Sequence, residues 1–385
     1  MTAPLAGTRV LDLTRLLPGN YATLLLAALG ADVIKVEDSV AGDGTRQAPP
    51  FAAGGSVAHA ILNRGKRSVQ CDLKLDTDRE WFLRLVENAD VLVDSFRPGV
   101  LARLGLGPDV LAAHRPTLVH VSLTAYGEGG RASWPGHDIN AQALAGLLSL
   151  TAGADGVPPM PGVQVADLAA GLHVALAVVS GMHSVQRNGR GFRANVAMVD
   201  AAYTFLGLAG AQAAASNLGA APAPGPGHML NGGLACYDLY RCSDDRYVAV
   251  GALEPQFFAR FCELLGKPEL ASWQYDLSRQ GQLRDDIATL VLSETSEHWG
   301  HVMSEADTCV TVVNDVVSAL RDTDATTRGV VTTTAGADGS SIDAVRVVPW
   351  LSGEDDPSGA PALGADSQVV RTAALAGEWP ARRQP

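Results

Sequence analysis

The 385-residue sequence is poor in aromatic residues and in basic charge. Phe, Trp and Tyr together make up 5% of the residues, which argues against a surface on which the bases of a single-stranded nucleic acid stack. Lys and Arg number 29 against 41 Asp and Glu, so the formal net charge is −12, whereas nucleic-acid-binding domains carry a basic surface. We therefore expect no nucleic-acid partner, although basic residues gathered locally could still bind an anionic small molecule.

Cysteines and long apolar runs are also scarce. The five cysteines are odd in number and scattered, and they show neither C-x-x-C nor zinc spacing, which is typical of a protein from a reducing compartment. The first residues lack the basic and apolar regions of a signal peptide. No uninterrupted stretch of about 18 apolar residues occurs that would span a bilayer. We expect a cytoplasmic protein with no membrane partner.

Several common motifs are missing. No G-x-G-x-x-G follows the first predicted strand, where TRLLPGNYA stands instead, and there is no P-loop. The nucleophile elbow G-x-S-x-G is absent too, which argues against a serine hydrolase of the α/β type. Neither H-E-x-x-H nor a carboxylate cluster is present, so we expect no metal.

What the first 125 residues do contain is an alternation of short β-rich runs and helical patterns. Strands are predicted over 8–13, 32–37, 66–73, 89–96 and 117–124, with a helix from Pro18 to about Gly30 and another over 77–88. Strand and helix repeated in this way predict an α/β fold with a parallel sheet wrapped by helices.

A proline-rich, small-residue segment over 214–226 predicts the boundary between two domains. We expect a large domain over 1–215, to which residues 335–385 return, and a smaller α+β domain over 225–330. The smaller domain is predicted to contain a hairpin over 237–252 and helices over 256–265 and 282–307.

Three polar positions stand out against apolar surroundings. His137, with Gly136, lies in the segment PGHDIN, which predicts an exposed loop or helix start facing a ligand, or else a simple helix cap. Asp167 opens a long apolar helix, either as a cap or as a poised acid or base. Glu254 follows an apolar strand and precedes a proline, a position that requires no function.

Six of the cations over residues 64–103 stand out in this acidic chain. They form either a phosphate-binding cluster or a solvated face. They are Arg64, Lys66, Arg67, Lys74, Arg97 and Arg103.

Taken together, these segments resemble the class III CoA-transferase superfamily, and within it most closely the α-methylacyl-CoA racemases. The order and spacing of the motifs carry the resemblance, over about residues 4–330. The motifs are PLAGTRVLDLT, LGADVIKVE, LNRGKRSVQCDLK, DVLVDSFRPGVLARLGLG, GHDIN, YVAVGALEPQFF and DTCVT.

The resemblance implies a Rossmann-like large domain, a smaller domain and an interlocked homodimer whose active site is shared between chains. It implies that His137 and Asp167 are the catalytic pair and that Glu254, supplied by the partner chain, orients the histidine. Arg97 falls on a residue that contacts CoA, and the phosphates of CoA would meet part of the cation cluster. Coenzyme A would enter as part of the acyl-CoA substrate, with no prosthetic group.

These roles fit an acyl-CoA racemase or epimerase that inverts the α-carbon of a 2-methyl or other 2-substituted acyl-CoA. Removal of the α-proton needs a base on each face of the carbon, and the enolate oxygen needs donors, which we expect from backbone N–H groups at the helix start near Asp167. The alternatives are a CoA-transferase in which Asp167 is the nucleophile and a non-catalytic acyl-CoA-binding protein.

Three departures from the racemase pattern bear on the choice. Ala141-Gln142-Ala143 follows GHDIN where the racemases usually have an aromatic residue, and the Gln-Ala pair resembles the transferases. Asn231 stands where the racemases usually have Asp, and Asp38 stands where the family often has an arginine near the phosphates. Asp38 puts one CoA contact in doubt, and the other two leave the acyl preference open.

Overall fold

A computed structural model describes residues 3–153, 155–351 and 358–381 of the chain. Their contacts divide the chain into two compact units. The first unit takes its described residues from Met1–Ala145, Gly162–Phe205 and Leu320–Pro385, and the second from Gly146–Pro161 and Leu206–Ala319. The predicted linker over 214–226 therefore lies inside the second unit, and the return to the first unit begins at Leu320 rather than at residue 335.

Strands are numbered here in chain order over the described residues. They are β1 (Arg9–Leu13), β2 (Asp32–Glu37), β3 (Phe51–Ala52), β4 (Gly55–Ser56), β5 (Arg67–Gln70), β6 (Val91–Asp94), β7 (Val119–Thr124), β8 (Phe192–Ala197), β9 (Tyr237–Arg241), β10 (Tyr247–Gly251), β11 (Val310–Val312), β12 (Val331–Ala335) and β13 (Ser341–Val345).

The α-helices are numbered in the same way. They are α1 (Leu16–Ala28), α2 (Val57–Leu62), α3 (Asp76–Glu87), α4 (Val100–Arg103), α5 (Pro108–His114), α6 (Asp138–Leu144), α7 (Leu147–Leu150), α8 (Val165–Asn188), α9 (Met198–Tyr203), α10 (Gly207–Asn217), α11 (Pro255–Leu264), α12 (Gln280–Val291), α13 (Ser296–Ser304), α14 (Val316–Ala319), α15 (Thr323–Thr327) and α16 (Ser367–Leu375).

The first unit is built on a six-stranded sheet with the order β5-β2-β1-β6-β7-β8, and every neighbouring pair in it is parallel. In order of appearance along the chain this is 3-2-1-4-5-6, the order of a Rossmann sheet. The central strands are apolar and buried on both faces, as parallel strands covered by helices must be; Leu11, Ile34 and Leu92 are fully buried. The predicted α/β class and the Rossmann-like sheet are confirmed.

Helix α8 is the longest helix in the described part of the chain. It has 24 residues and is long and apolar enough to cross a membrane by length and composition alone. Within the first unit it packs against α1, α6, α9, β7 and β8. Gly171 and Gly181 permit this packing, because an added Cβ would lie 2.8 Å from the Tyr21 ring and 2.5 Å from the Phe192 ring, respectively. These contacts make α8 a core helix of the unit and fix the position of its first turn, where Asp167 lies.

The second unit contains an antiparallel sheet with the order β11-β10-β9. Strands β9 and β10 form the predicted hairpin, and Asp245 in its turn has a φ of 64°. The helix predicted over 282–307 is in fact two helices, α12 and α13. The break lies where the hydroxyl of Thr295 accepts the His298 N–H and caps a new helix, a role that threonine performs well.

Candidate functional site

The carboxyl ends of the parallel strands define where a ligand can bind in the first unit. In a doubly wound sheet the crevice opens where the strand order reverses, here between β1 and β6. Arg15 follows β1, and its backbone N–H donates to Ser95 Oγ, after β6, at 2.9 Å. The Arg15 guanidinium also lies over the Phe96 ring, 5.6 Å from its centroid. Arg15, which lies outside the predicted cation cluster, is thus held at this crevice.

Three of the cations predicted from the sequence are exposed near the same edge. Lys74 lies beyond β5, and Arg97 and Arg103 lie beyond β6. Asp38, at the end of β2, is committed to its own turn, because its Oδ1 accepts the N–H groups of Val40 and Ala41 at 2.9 Å each. These two hydrogen bonds are the main reason that the pKa of Asp38 lies below its ordinary value.

The other three predicted cations are buried in the first unit and bond within it. Arg64 donates to the Ile61 and Val345 carbonyls at 2.6 and 2.8 Å. Arg67 pairs with Asp32 at 2.5 Å, and Lys66 lies 3.3 Å from Asp12 Oδ2. We therefore do not carry these three into the proposed CoA site. The spacing of these three cations in the sequence could not show that they are buried, because it does not indicate which side chains point into the core.

Lys66 belongs to a buried polar network. Its ammonium also donates to Thr23 Oγ1 at 2.7 Å and to Asn63 Oδ1 at 2.9 Å, while Lys35 lies 3.5 Å from the same Asp12 carboxylate. Burial lowers the pKa of Lys66 to about 8, although the Asp12 carboxylate opposes the change. The lysine thus stabilises the region where β1 and α1 meet.

We predict that Lys66→Met and Lys74→Gln have different effects. Lys66→Met removes one of the two cations beside the buried Asp12 carboxylate and the donor to Asn63 Oδ1, so it should lower the free energy of unfolding by about 3–5 kcal/mol. Lys74→Gln removes an exposed charge, so it should change stability by less than about 0.5 kcal/mol and, on the expectation that CoA phosphates bind at this edge, raise KM for an acyl-CoA. Urea denaturation and initial-rate kinetics measure the two effects. A Lys66 variant of unchanged stability with a raised KM would reverse the assignment.

His137 stands immediately before α6. It is exposed, and its backbone N–H donates to Asn140 Oδ1 at 3.0 Å, which closes the first turn of the helix. Gly136 is required just before it, because an added Cβ would lie 2.3 Å from the Tyr126 hydroxyl oxygen. Gly136 is thus explained by its close packing against Tyr126. The next residue, His137, presents its imidazole at the surface of the unit.

Asp167 lies in the first turn of α8 and is half-buried. Two hydrogen bonds connect this turn to the start of α6: Asp138 Oδ1 accepts the N–H groups of Ala166 at 2.8 Å and of Asp167 at 3.1 Å. Burial, with a further contribution from the negative charge of Asp138, raises the pKa of Asp167 to about 7. Since His137 directly precedes Asp138, these bonds bring the two predicted catalytic residues to neighbouring helix starts.

The same hydrogen bonds correct one expectation. We expected the N–H groups at the helix start near Asp167 to stabilise an enolate. The structure shows that those of Ala166 and Asp167 donate to Asp138 and that of Leu168 donates to the Gln164 carbonyl at 3.1 Å. These groups already have acceptors, so the donors must come from elsewhere.

The raised pKa of Asp167 predicts a dependence of stability on pH. Between about pH 4 and 7 the folded chain holds a proton that the unfolded chain has released, so the free energy of unfolding falls as pH rises through this window. A change from 3.8 to about 7 corresponds to at most about 4 kcal/mol, and partial exposure reduces our expectation to about 1–2 kcal/mol. Asp167→Asn should remove this loss, so its stability relative to wild type should increase between about pH 4 and 7. Denaturation curves that stay parallel, as expected for the exposed control Asp109→Asn, would contradict the prediction.

Glu254 lies in the second unit, at the residue before α11, and is exposed. Its carbonyl accepts the N–H groups of Phe257 and Phe258, so the residue begins the helix through its backbone and its carboxylate remains at the surface. Desolvation raises the pKa of Cys309 and of Tyr275, and the Glu254 carboxylate raises both further. A cluster of titratable groups therefore surrounds Glu254 within its own unit.

A cavity of about 250 Å³ lies beside Arg97, lined by the end of β6 and by one face of β7 and β8. His120 lines it, and its Nε2 lies 2.8 Å from Asp94 Oδ2, which also accepts from the Ser122 hydroxyl at 2.8 Å. The sequence pattern did not single out His120, because it occupies an ordinary position in an amphipathic strand. Among the described residues, no group of three or more His, Cys, Asp or Glu side chains could hold a metal ion.

Comparison with known proteins gives a family match over almost the whole chain. The model of CoA-transferase family III matches residues 5–367. The chain is 31% identical to an acetyl-CoA:oxalate CoA-transferase from Acetobacter aceti, over 96% of this chain and 95% of that protein. It is 33% identical to an α-methylacyl-CoA racemase from Mus musculus, over 90% of this chain and 86% of that one.

Solved structures agree with this match. A crystal structure of a CaiB/BaiF family protein from Brucella suis superposes with a TM-score of 0.83 at 28% identity, covering 97% of this chain and 100% of that one. Both kinds of enzyme thus occur among proteins similar to this chain, and the family match alone does not distinguish transfer from racemisation.

Proposed function

Because the chain belongs to CoA-transferase family III, we propose that it is an acyl-CoA racemase that inverts the α-carbon of a 2-methyl or other 2-substituted acyl-CoA. The observation that carries the proposal is the pair of hydrogen bonds from the start of α8 to Asp138, which places Asp167 beside the helix start that presents His137; the pKa of Asp167, raised by burial to about 7, supports it. A group that removes and returns a proton works best when its pKa lies near the working pH. Histidine is the side chain whose ordinary charge change falls in the same range.

The reaction requires two bases because the proton must leave one face of the carbon and return to the other. In one direction, one of His137 and Asp167 takes the α-proton, the C–H electron pair passes into the thioester as an enolate, and the other residue donates its proton to the opposite face. In the reverse direction the two residues exchange roles. The enolate oxygen would be met by the backbone N–H groups of Asp138 and Ile139 at the start of α6, since the N–H of Asn140 already donates to the His137 carbonyl.

Recognition of the CoA portion would come from the exposed cations at the crevice, Arg15, Lys74, Arg97 and Arg103. They follow strands that lie close together in the sheet, so their charges can converge on phosphates. CoA is part of the substrate in this scheme, and the reaction uses no prosthetic group.

The proposal includes a homodimer with a shared site. Glu254 of the partner subunit would hold the His137 imidazole in the tautomer that the reaction requires. The exposed carboxylate of Glu254 is compatible with this role, since it makes no capping hydrogen bond to its own helix.

A second candidate is CoA transfer between an acyl-CoA and a carboxylate, favoured by the similarity to the Acetobacter transferase over nearly the full chain. In that reaction the Asp167 carboxylate attacks the thioester carbonyl, forming an acyl anhydride and releasing CoA thiolate. The thiolate then attacks the aspartyl carbonyl, which releases the free acid and leaves an aspartyl-CoA thioester for the acceptor carboxylate.

Two parallel assays separate the candidates. Each pure enantiomer of a 2-methylacyl-CoA is incubated with the protein and its configuration followed by chiral analysis; isotope-labelled acetate and oxalate are offered as acceptors in the second assay. Inversion of both enantiomers to the same mixture, without labelled acyl-CoA, is the expected result. Formation of labelled acyl-CoA, with the configuration of both 2-methylacyl-CoA enantiomers retained, would contradict the racemase and identify the enzyme as a transferase.

A further inference from the structure

We propose that Asp138 is the positioning residue for Asp167: its carboxylate fixes the first turn of α8 and places a permanent negative charge beside the catalytic carboxyl. This inference rests on the proposed function, since it explains how Asp167 serves as both acid and base. Its evidence is a hydrogen-bond arrangement between α6 and α8, neighbouring helices of the first unit.

The Asp138 carboxylate accepts three hydrogen bonds from residues of the first unit. One oxygen accepts the backbone N–H groups of Ala166 and Asp167, and the other accepts Gln142 Nε2 at 2.5 Å. Asp138 and Gln142 are both buried, 7% and 4% exposed. Three donors from two helices therefore hold this buried carboxylate in place beside the first turn of α8.

Gln142 helps to hold the Asp138 carboxylate in place. It lies one helical turn after Asp138 on α6, so its amide can reach back to the carboxylate. The same amide lies 3.5 Å from the Val163 carbonyl, just before α8. Gln142, from the Gln-Ala pair that resembles the transferases in the sequence, thus stabilises the Asp138 carboxylate beside Asp167.

A fixed anion at this place makes a second negative charge on Asp167 unfavourable. The other titratable groups on elements that pack against α8 are Tyr21 on α1, His137 before α6, Asp200 and Tyr203 on α9, His120 on β7 and Arg193 on β8. Asp138 is the charged group that acts on Asp167, adding to the effect of burial.

The test is the charge-removing variant Asp138→Asn, with Gln142→Ala as the matched control that removes one hydrogen bond and keeps the charge. The Asp167 carboxyl carbon is followed by ¹³C NMR between about pH 4 and 9, and its signal is assigned by its absence in Asp167→Asn. In wild type and Gln142→Ala we expect a midpoint near pH 7. In Asp138→Asn we expect it to fall by about one pH unit or more, with the same shift in the pH profile of kcat/KM. Equal midpoints in folded Asp138→Asn and wild type would overturn the proposal.

The titration needs no turnover, so it remains decisive if the enzyme proves to be a transferase. If Asp138→Asn does not fold, Asp138→Ser, which also removes the charge, is titrated in its place: a lowered Asp167 midpoint supports the proposal, and a midpoint equal to that of wild type contradicts it. The activity assays alone decide between racemase and transferase, so the two proposals can fail separately.

Discussion

Asp167→Asn should abolish inversion of both enantiomers of the substrate, lowering kcat by about 10²–10⁴-fold. The amide fills the same space and cannot take or give the proton, so neither direction can be completed. Exchange of the α-proton with solvent should nevertheless survive for one enantiomer, the one whose proton His137 removes. Chiral analysis measures inversion, and mass spectrometry in D₂O measures exchange.

Asp109→Asn is the matched control, since it removes an exposed carboxylate from α5 and should leave both rates unchanged. Loss of exchange from both enantiomers in Asp167→Asn, together with retained configuration in wild type, would contradict a two-base mechanism. This result would instead indicate that Asp167 is the nucleophile, which each cycle of CoA transfer requires.

His137→Ala should show the opposite selectivity. Inversion should again fall by about 10²–10⁴-fold, because one face of the α-carbon loses its base. Exchange should now persist for the enantiomer that Asp167→Asn cannot process. His183→Ala serves as the control, since His183 is an exposed histidine further along α8.

The two variants are informative as a pair. A transferase needs no base at His137, so full activity in His137→Ala with none in Asp167→Asn would identify covalent catalysis. If both variants instead lose exchange from the same enantiomer, the two residues serve one face of the carbon, and another group must return the proton.

Most of the first unit follows from local sequence pattern. Strand β2 has the predicted bounds and β1 differs by one residue, because apolar runs that are buried on both faces leave a clear signal. The prediction of a single helix over 282–307 was wrong, because the structure has two helices, α12 and α13, in this range. The periodicity continues through the break, and only the capping side chain of Thr295 marks it.

The candidate site was harder to derive from sequence than the fold. His137, Asp167 and Glu254 were identified, but their sequence neighbours do not reveal their hydrogen-bond partners. Lys66 and Arg67 illustrate the limit, since a cation in a basic run can point into the core and pair there with Asp12 or Asp32. Asp138 was overlooked in turn, because its contacts with Ala166 and Asp167 join residues 28 and 29 positions apart.

The most direct measurement is solvent exchange by the wild-type enzyme. Each enantiomer of a 2-methylacyl-CoA is incubated in D₂O, and deuterium at the α-carbon is followed together with configuration. The account predicts that both enantiomers take up deuterium at the α-carbon and converge on one mixture. Transfer of CoA to a carboxylate acceptor, with the α-proton and the configuration of both enantiomers intact, would contradict it.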